Sequence, residues 1–364
     1  MKFFSQAIKS PPRAPRDTIT AFALLLVLPI AGLRAQDFTY TNNNGAITIT
    51  GYTGPGGNVA IPSTIDGQPV TSIEDSAFYN SLILSSVAIP NGVTNIGSYA
   101  FFNATGLTNV SISEGLRVIG DDTFAGCTHL NGVAIPNSVT SLGQEAFFNC
   151  SALASLTIGT GIASIHGGSE SGFWGTFAYC TSLTKLTIPD NVTSIGDGPV
   201  SKAGATGAFF NCSGLTNVII GKGLFYLGLG AFSYCTNLVG IYFRGNAPLH
   251  SQDMFGEDTF HFTPATLYYL PGTTGWGGMY STLPTALWNP HALVNDGNFG
   301  IRQNRFGFNV TGTPAIPLVV EATTNLAAQS WVPLLTGTLT NGLIYLSDGQ
   351  WTNYPERIYR IRSP

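Results

Sequence analysis

Charge is scarce in this chain. Asp, Glu, Lys and Arg together make up 9% of its 364 residues, against about 25% in an average soluble domain. With so few charges the surface must be mostly Ser, Thr, Asn and Gly, as in exported β-rich proteins. The balance of 15 basic to 19 acidic residues, net −4, excludes the electrostatic footprint of a nucleic-acid binder. Methionine is rare, with 3 copies, and after residue 35 there is no long apolar run, so no membrane span is expected in the remainder. No G-x-S-x-G, Walker-type loop or H-E-x-x-H occurs, which removes the common signatures of serine hydrolases, nucleotide-binding enzymes and zinc proteases. What is present is apolar and turn-rich. Hydrophobic residues reach 44%, enough for a substantial core, and 44 Gly with 21 Pro disfavour a helical bundle.

Residues 1–35 read as a signal peptide. Lys2, Lys9, Arg13 and Arg16 form a basic leader, and an apolar run follows from Ile19 to Ala31. Cleavage is expected after Ala35, although Leu33 is larger than the small residue usual at that point. The segment holds five bases and one acid, so its removal leaves 10 bases and 18 acids, net −8. An exported chain without a further span is the expectation.

Internal repetition dominates the rest. Phe78, Phe101, Phe124, Phe147, Phe177, Phe209 and Phe232 are spaced 23, 23, 23, 30, 32 and 23 residues apart. Ile89, Ile112, Ile135, Ile158, Ile188, Ile220 and Phe243 repeat the same six spacings. Within a unit, pairs such as Val110/Ile112 and Leu186/Ile188 alternate as a half-buried strand requires, Pro closes the strand, and a second short extended piece ends at an Ile-Gly step. The A-F-x-x-C piece is expected to form one helical turn that drops Phe and Cys inward. A 23-residue unit cannot bury its own apolar side, so the units must stack as a solenoid.

Units such as Leu183-Thr184-Lys185-Leu186-Thr187-Ile188-Pro189, followed by Asn191-Val192-Thr193-Ser194-Ile195-Gly196, resemble the BspA-like leucine-rich-repeat family of bacterial secreted and surface proteins. The resemblance covers residues 59–245 and implies non-enzymatic binding or adhesion outside the cell. It implies no catalytic residues, because the shared pattern is a core pattern. The expected fold is mostly β: a solenoid of about seven units over 59–245, an N-terminal hairpin cap at 36–58 and a C-terminal cap and linker at 246–290. Residues 291–364 are expected to form a small β-sandwich. Charge balance shifts there, with 5 bases and 4 acids in 296–364 against 5 bases and 14 acids in 36–295. Its pattern of Glu321-Ala322-Thr323-Thr324-Asn325-Leu326, Trp331, Asp348 and Tyr359-Arg360 resembles a C-terminal module of exported Gram-negative proteins, which implies a secreted or surface location in such a bacterium.

The polar candidates have plain readings. Cys127, Cys150, Cys180, Cys212 and Cys235 each follow a repeat Phe by three residues, in a slot that Ser81 and Ala104 fill elsewhere. That marks a small buried position holding free thiols. His250, Asp253 and His261 match no common ligand spacing, so no metal or cofactor is expected. Asp75, Asp121, Asp122 and Glu145 recur before the repeat Phe and read as a solvated edge. On the strand face, Ser111, Ala134, Thr157 and Thr187 should point outward, and the face turns apolar toward Ile219 and Tyr242.

The two longer units exceed the period by 7 (30 − 23) and 9 (32 − 23) residues, at His166–Trp174 and Asp197–Thr206. Insertions at equivalent points of adjacent repeats emerge side by side. Glu170, Phe173, Trp174, Asp197 and Lys202 are therefore the candidate contact residues for a protein or glycan ligand, with Ile219 and Tyr242 as secondary candidates; the competing reading is neutral loop growth with Trp174 folded back onto its neighbours. An exported polysaccharide-acting enzyme and a purely structural surface protein are the alternatives. The first of these would require two acids, or an acid and a His, converging in one pocket.

Overall fold

A computed structural model describes residues 8–9, 37–168, 174–196, 207–250, 259–327, 330–354 and 356–363. The chain divides into two compact units, Pro29–Thr285 and Ala286–Pro364, the latter together with the short strand Ile8–Lys9. Among the described residues regular structure is almost wholly β, and no helix is long and apolar enough to cross a membrane.

The first unit is a solenoid. One face carries the parallel strands Gly57–Ala60, Leu84–Ile89, Asn109–Ile112, Gly132–Ala134 and Ser155–Thr157. The same face resumes with Lys185–Ile188, Asn217–Ile220, Gly240–Phe243 and Thr266–Tyr269. Two-residue strands such as Asn95–Ile96, Val118–Ile119 and Ser141–Leu142 line a second face. Gly follows each of these three short strands, after Ile or Leu, because stacking leaves no room for a side chain. A Cβ at Gly120 would sit 2.6 Å from the Ser98 nitrogen, and one at Gly143 2.4 Å from the Asp121 nitrogen.

The repeat Phe segment forms a turn, not the expected helical turn, and the reason is a third backbone ladder. Phe101 N–H donates to the Thr123 carbonyl (2.8 Å), Phe124 to Ala146 (2.8 Å) and Phe209 to Ala231 (2.9 Å), each in the next unit. The residue two places on does likewise: Asn103 donates to Ala125 (2.7 Å) and Asn211 to Ser233 (2.8 Å). Turning those N–H groups along the stack puts that second residue in the left-handed region, with φ 54° at Asn80, Asn103, Asn149 and Asn211. Asn tolerates this conformation better than most residues.

Between the faces the buried Phe rings stack in file. Centroid distances run 4.7, 5.2, 5.2, 5.4, 5.3 and 5.3 Å from Phe78 to Phe232. Beside them all five cysteines are free and buried. Each Sγ–H points to the Phe carbonyl of the preceding unit: Cys127 to Phe101 at 3.2 Å, Cys150 to Phe124 at 3.2 Å, and Cys235 to Phe209 at 3.3 Å. Burial pushes the Cys127 and Cys212 thiols up to about 12, so they stay protonated.

The stack is longer than the periodicity suggests. Phe260 continues the file 6.3 Å beyond Phe232, and Thr266–Tyr269 pairs in parallel with Gly240–Phe243. The expected loss of repeat after 245 is thus an eighth turn, disguised by its spacing of 28 (260 − 232). At the other end, Phe38–Asn43 and Ala46–Tyr52 form an antiparallel hairpin through Asn44-Gly45, both at positive φ. Tyr52 then finishes the Phe file 5.7 Å from Phe78.

The second unit packs two antiparallel sheets face to face. One joins Ile8–Lys9, Ile358–Arg362, Pro317–Thr323 and Val332–Thr338, and the other His291–Leu293, Arg305–Thr311, Gly300–Arg302 and Leu343–Asp348. Phe306 and Phe308 lie 5.2 and 5.7 Å from Tyr359 across the sandwich. A buried ion pair accompanies them: Asp348 accepts from Arg357 (2.6 Å) and from the Tyr359 hydroxyl (2.9 Å).

Candidate binding surface

Four of the candidate contact residues, Glu170, Phe173, Asp197 and Lys202, lie outside the described residues, as does most of the expected signal segment. Trp174 is placed. Half-buried at the start of its turn, its ring sits 5.6 Å from Phe148, 4.9 Å from Tyr179 and 5.6 Å from Phe210. The outward strand face runs as alternation dictates, with Ser111, Ala134, Thr157 and Thr187 exposed and Ile219 half-buried.

Tyr242 departs from that expectation. It is 4% exposed. Gly240, two places back, leaves the sheet bare there. The Tyr242 ring lies down beside it, where a Cβ would meet the ring at 3.0 Å, and stacks on Tyr268 at 4.9 Å. Tyr242 is a packing residue in place of an exposed contact.

Of the recurring acids only Asp75 and Asp121 are exposed, as a solvated edge requires. Asp75 and Asp121 each accept the backbone N–H one unit on, from Ser98 and Gln144, both at 2.8 Å. Asp122 and Glu145 are buried, 5% and 8% exposed, and hydrogen-bonded to each other. Glu145 Oε1 accepts the Trp174 N–H at 2.7 Å. Burial raises Asp122 and pushes the Glu145 carboxyl up to about 7, since two adjacent carboxyls cannot both ionise cheaply away from water.

This pair has a pH consequence. The raised group binds its proton more tightly folded than unfolded, where the usual value is 4.5. Its contribution is therefore full below the unfolded value and falls as pH rises through about 7. Urea unfolding at pH 5 and pH 8 should show the native chain losing on the order of 1–2 kcal/mol more than Glu145→Gln over that span. Equal losses would show that Glu145 is ionised throughout.

One feature of this edge escaped sequence reasoning. The residue two places after the repeat Phe is Asn or Gly in five units, but Tyr179, Tyr234 and Phe262 in three, at φ 64°, 61° and 53°. Their rings join those following the repeat Phe. Phe210 lies 5.1 Å from Tyr234, and Tyr234 5.1 Å from Phe262, each pair tilted by 50°. With Phe148 and Trp174 they make one continuous aromatic strip, ending at Tyr234 and Phe262, which are 38% and 64% exposed. Ala125-Gly126 separates it from a smaller patch at Tyr79, Tyr99 and Phe102.

The model of the BspA type leucine rich repeat region matches residues 71–204 and 173–266 in six copies, more than half of the chain. The chain belongs to that family. Among solved structures, this BspA-type chain is similar to the Leucine Rich Repeat protein of T. pallidum, 29% identical, covering 64% of this chain and 86% of that one, with a TM-score of 0.42. A leucine-rich repeat protein from Bacteroides ovatus is 20% identical over 71% of this chain and 100% of its own, with a TM-score of 0.33. A leucine rich cell surface protein from Faecalibacterium prausnitzii is 22% identical over 68% and 90%, with a TM-score of 0.25. No curated protein matches the chain.

Proposed function

We propose that this BspA-type chain is an exported, non-enzymatic binding protein whose repeat stack presents its turn edge to a protein or glycan outside the cell. The observation that carries this reading is the gathering of Phe148, Trp174, Tyr179 and Phe210 at the root of the two longer units, on backbone fixed by ladders to both neighbours. Rigid scaffolds carrying aromatic side chains at loop bases suit recognition. The two long segments, with Glu170, Phe173, Asp197 and Lys202, are read as part of the same contact surface, and the C-terminal sandwich as a module for export, anchoring or spacing. The chemistry of the described residues supports binding over turnover. The thiols are buried and protonated, and Asp122 and Glu145 hydrogen-bond directly to each other, without the separation that lets two carboxyls flank a scissile bond.

The test is an array of glycans and extracellular proteins probed with the purified chain and with a variant whose two long units are cut to 23 residues and whose Trp174 is Ala. Retention of a ligand by the native chain and its loss in the folded variant is the expected result. Unchanged retention would remove the edge as the site, and release of products from any polysaccharide would replace binding by catalysis.

A further inference from the structure

The aromatic strip is costly to build, and its cost points to a ligand. At the position two after the repeat Phe the backbone is left-handed in all eight units, and Asn or Gly fills it in five. Tyr and Phe are poorly suited to that conformation, so three units accept strain that Asn would relieve. The rings lie on the turn edge and outside the Phe file, Tyr179 half-buried and Tyr234 and Phe262 exposed. Their one consequence is a row of rings from Phe148 through Trp174, Tyr179, Phe210 and Tyr234 to Phe262.

Resting on the binding-platform reading, we propose that this strip is the seat of an extended, uncharged polysaccharide. Three properties select that occupant. Successive rings Phe210, Tyr234 and Phe262 stand 5.1 Å apart, one per unit, which matches the advance of one pyranose in an extended chain and falls short of two residues of an extended peptide. The rings at this end are open to solvent, Tyr234 38% and Phe262 64% exposed with Phe210 half-buried beside them, and a sugar's C–H face packs on a ring face. The strip's own side chains carry no formal charge, its polar groups being the Tyr179 and Tyr234 hydroxyls, the Trp174 indole N–H and the His261 imidazole 5.8 Å from Tyr234. Such neutral donors and acceptors suit hydroxyls, where a phosphate or uronate chain would call for Lys or Arg.

The experiment uses the full chain and a triple variant, Tyr179→Asn, Tyr234→Asn and Phe262→Asn, which installs the residue four other units already use. Affinity electrophoresis in gels containing hydroxyethyl cellulose, glucomannan, laminarin or dextran should retard the native chain in at least one. The variant should melt at the same or a higher temperature and bind on the order of tenfold more weakly for each ring that contacted sugar. Retardation of both proteins alike would overturn the assignment to the strip. No retardation in any gel would overturn the polysaccharide. In that case a protein captured on the extracellular-protein array and lost by the loop-shortened variant would leave the platform reading standing, whereas capture of nothing would remove both.

Discussion

Replacing Phe147 by Ala is expected to cost about 3–5 kcal/mol, among the largest effects of any single change in the repeats. The ring is fully buried and stacked at 5.2 Å on Phe124 and 5.4 Å on Phe177, so its removal opens a cavity whose walls cannot close. The walls are themselves held in place: Phe147 N–H is tied to the Thr176 carbonyl at 2.9 Å, and Cys180 donates to the Phe147 carbonyl at 3.4 Å. In a solenoid each unit is stabilised only by its neighbours, so the loss is felt at two interfaces at once. Phe148→Ala, one residue away but half-buried on the edge, should cost less than about half as much. Urea midpoints followed by tryptophan fluorescence separate the two. A loss below about 1 kcal/mol for Phe147→Ala would mean that the Phe file is not the spine of the stack.

The second large effect belongs to the sandwich. Asp348→Ala should remove about 3–5 kcal/mol from the C-terminal unit, because the buried Arg357 charge would lose the carboxylate that faces it. Both side chains are almost fully enclosed, at 5% and 3% exposure, with 2.6 Å between Arg357 Nη1 and Asp348 Oδ2. The Tyr359 hydroxyl loses its acceptor in the same step, in the middle of the packing between the two sheets. We propose that the two units fold separately, so calorimetry should resolve two transitions, with only the sandwich's moving in the variant. A shift of both transitions would merge the units into one cooperative body and place the domain boundary near 290 in error.

These outcomes mark what the sequence made legible. The Phe and Ile registers carried the stacking order, the inward strand positions and the buried thiols, since a residue locked into a periodic core leaves a periodic trace. The eighth turn was hidden because Phe260 breaks the spacing, although its ring and strand stack like the rest. Asp122 and Glu145 look like surface acids because acids usually are, and nothing in the repeat marks their burial: Tyr99, at the same point of its unit and φ 58°, stays 38% exposed. Tyr242 was misplaced for a related reason: alternation sets the direction of a Cβ, but the bare backbone at Gly240 decides where a large ring comes to rest. The aromatic strip did leave a sequence signal, in Tyr179, Tyr234 and Phe262 standing where other units have Asn or Gly. Its meaning depended on knowing that the position is left-handed.

The most direct test of the central claim, that the turn edge of the repeat stack is where this chain meets its ligand, is a hydrogen-exchange footprint. The full chain would be compared with and without the ligand it retains on the arrays or in the polysaccharide gels. Slowed exchange is predicted at the turn amides around Phe148, Trp174, Phe210 and Tyr234, with the sandwich from Ala286 onward unchanged. Protection confined to the sandwich, or to the outward strand face at Thr157 and Thr187, would contradict the account.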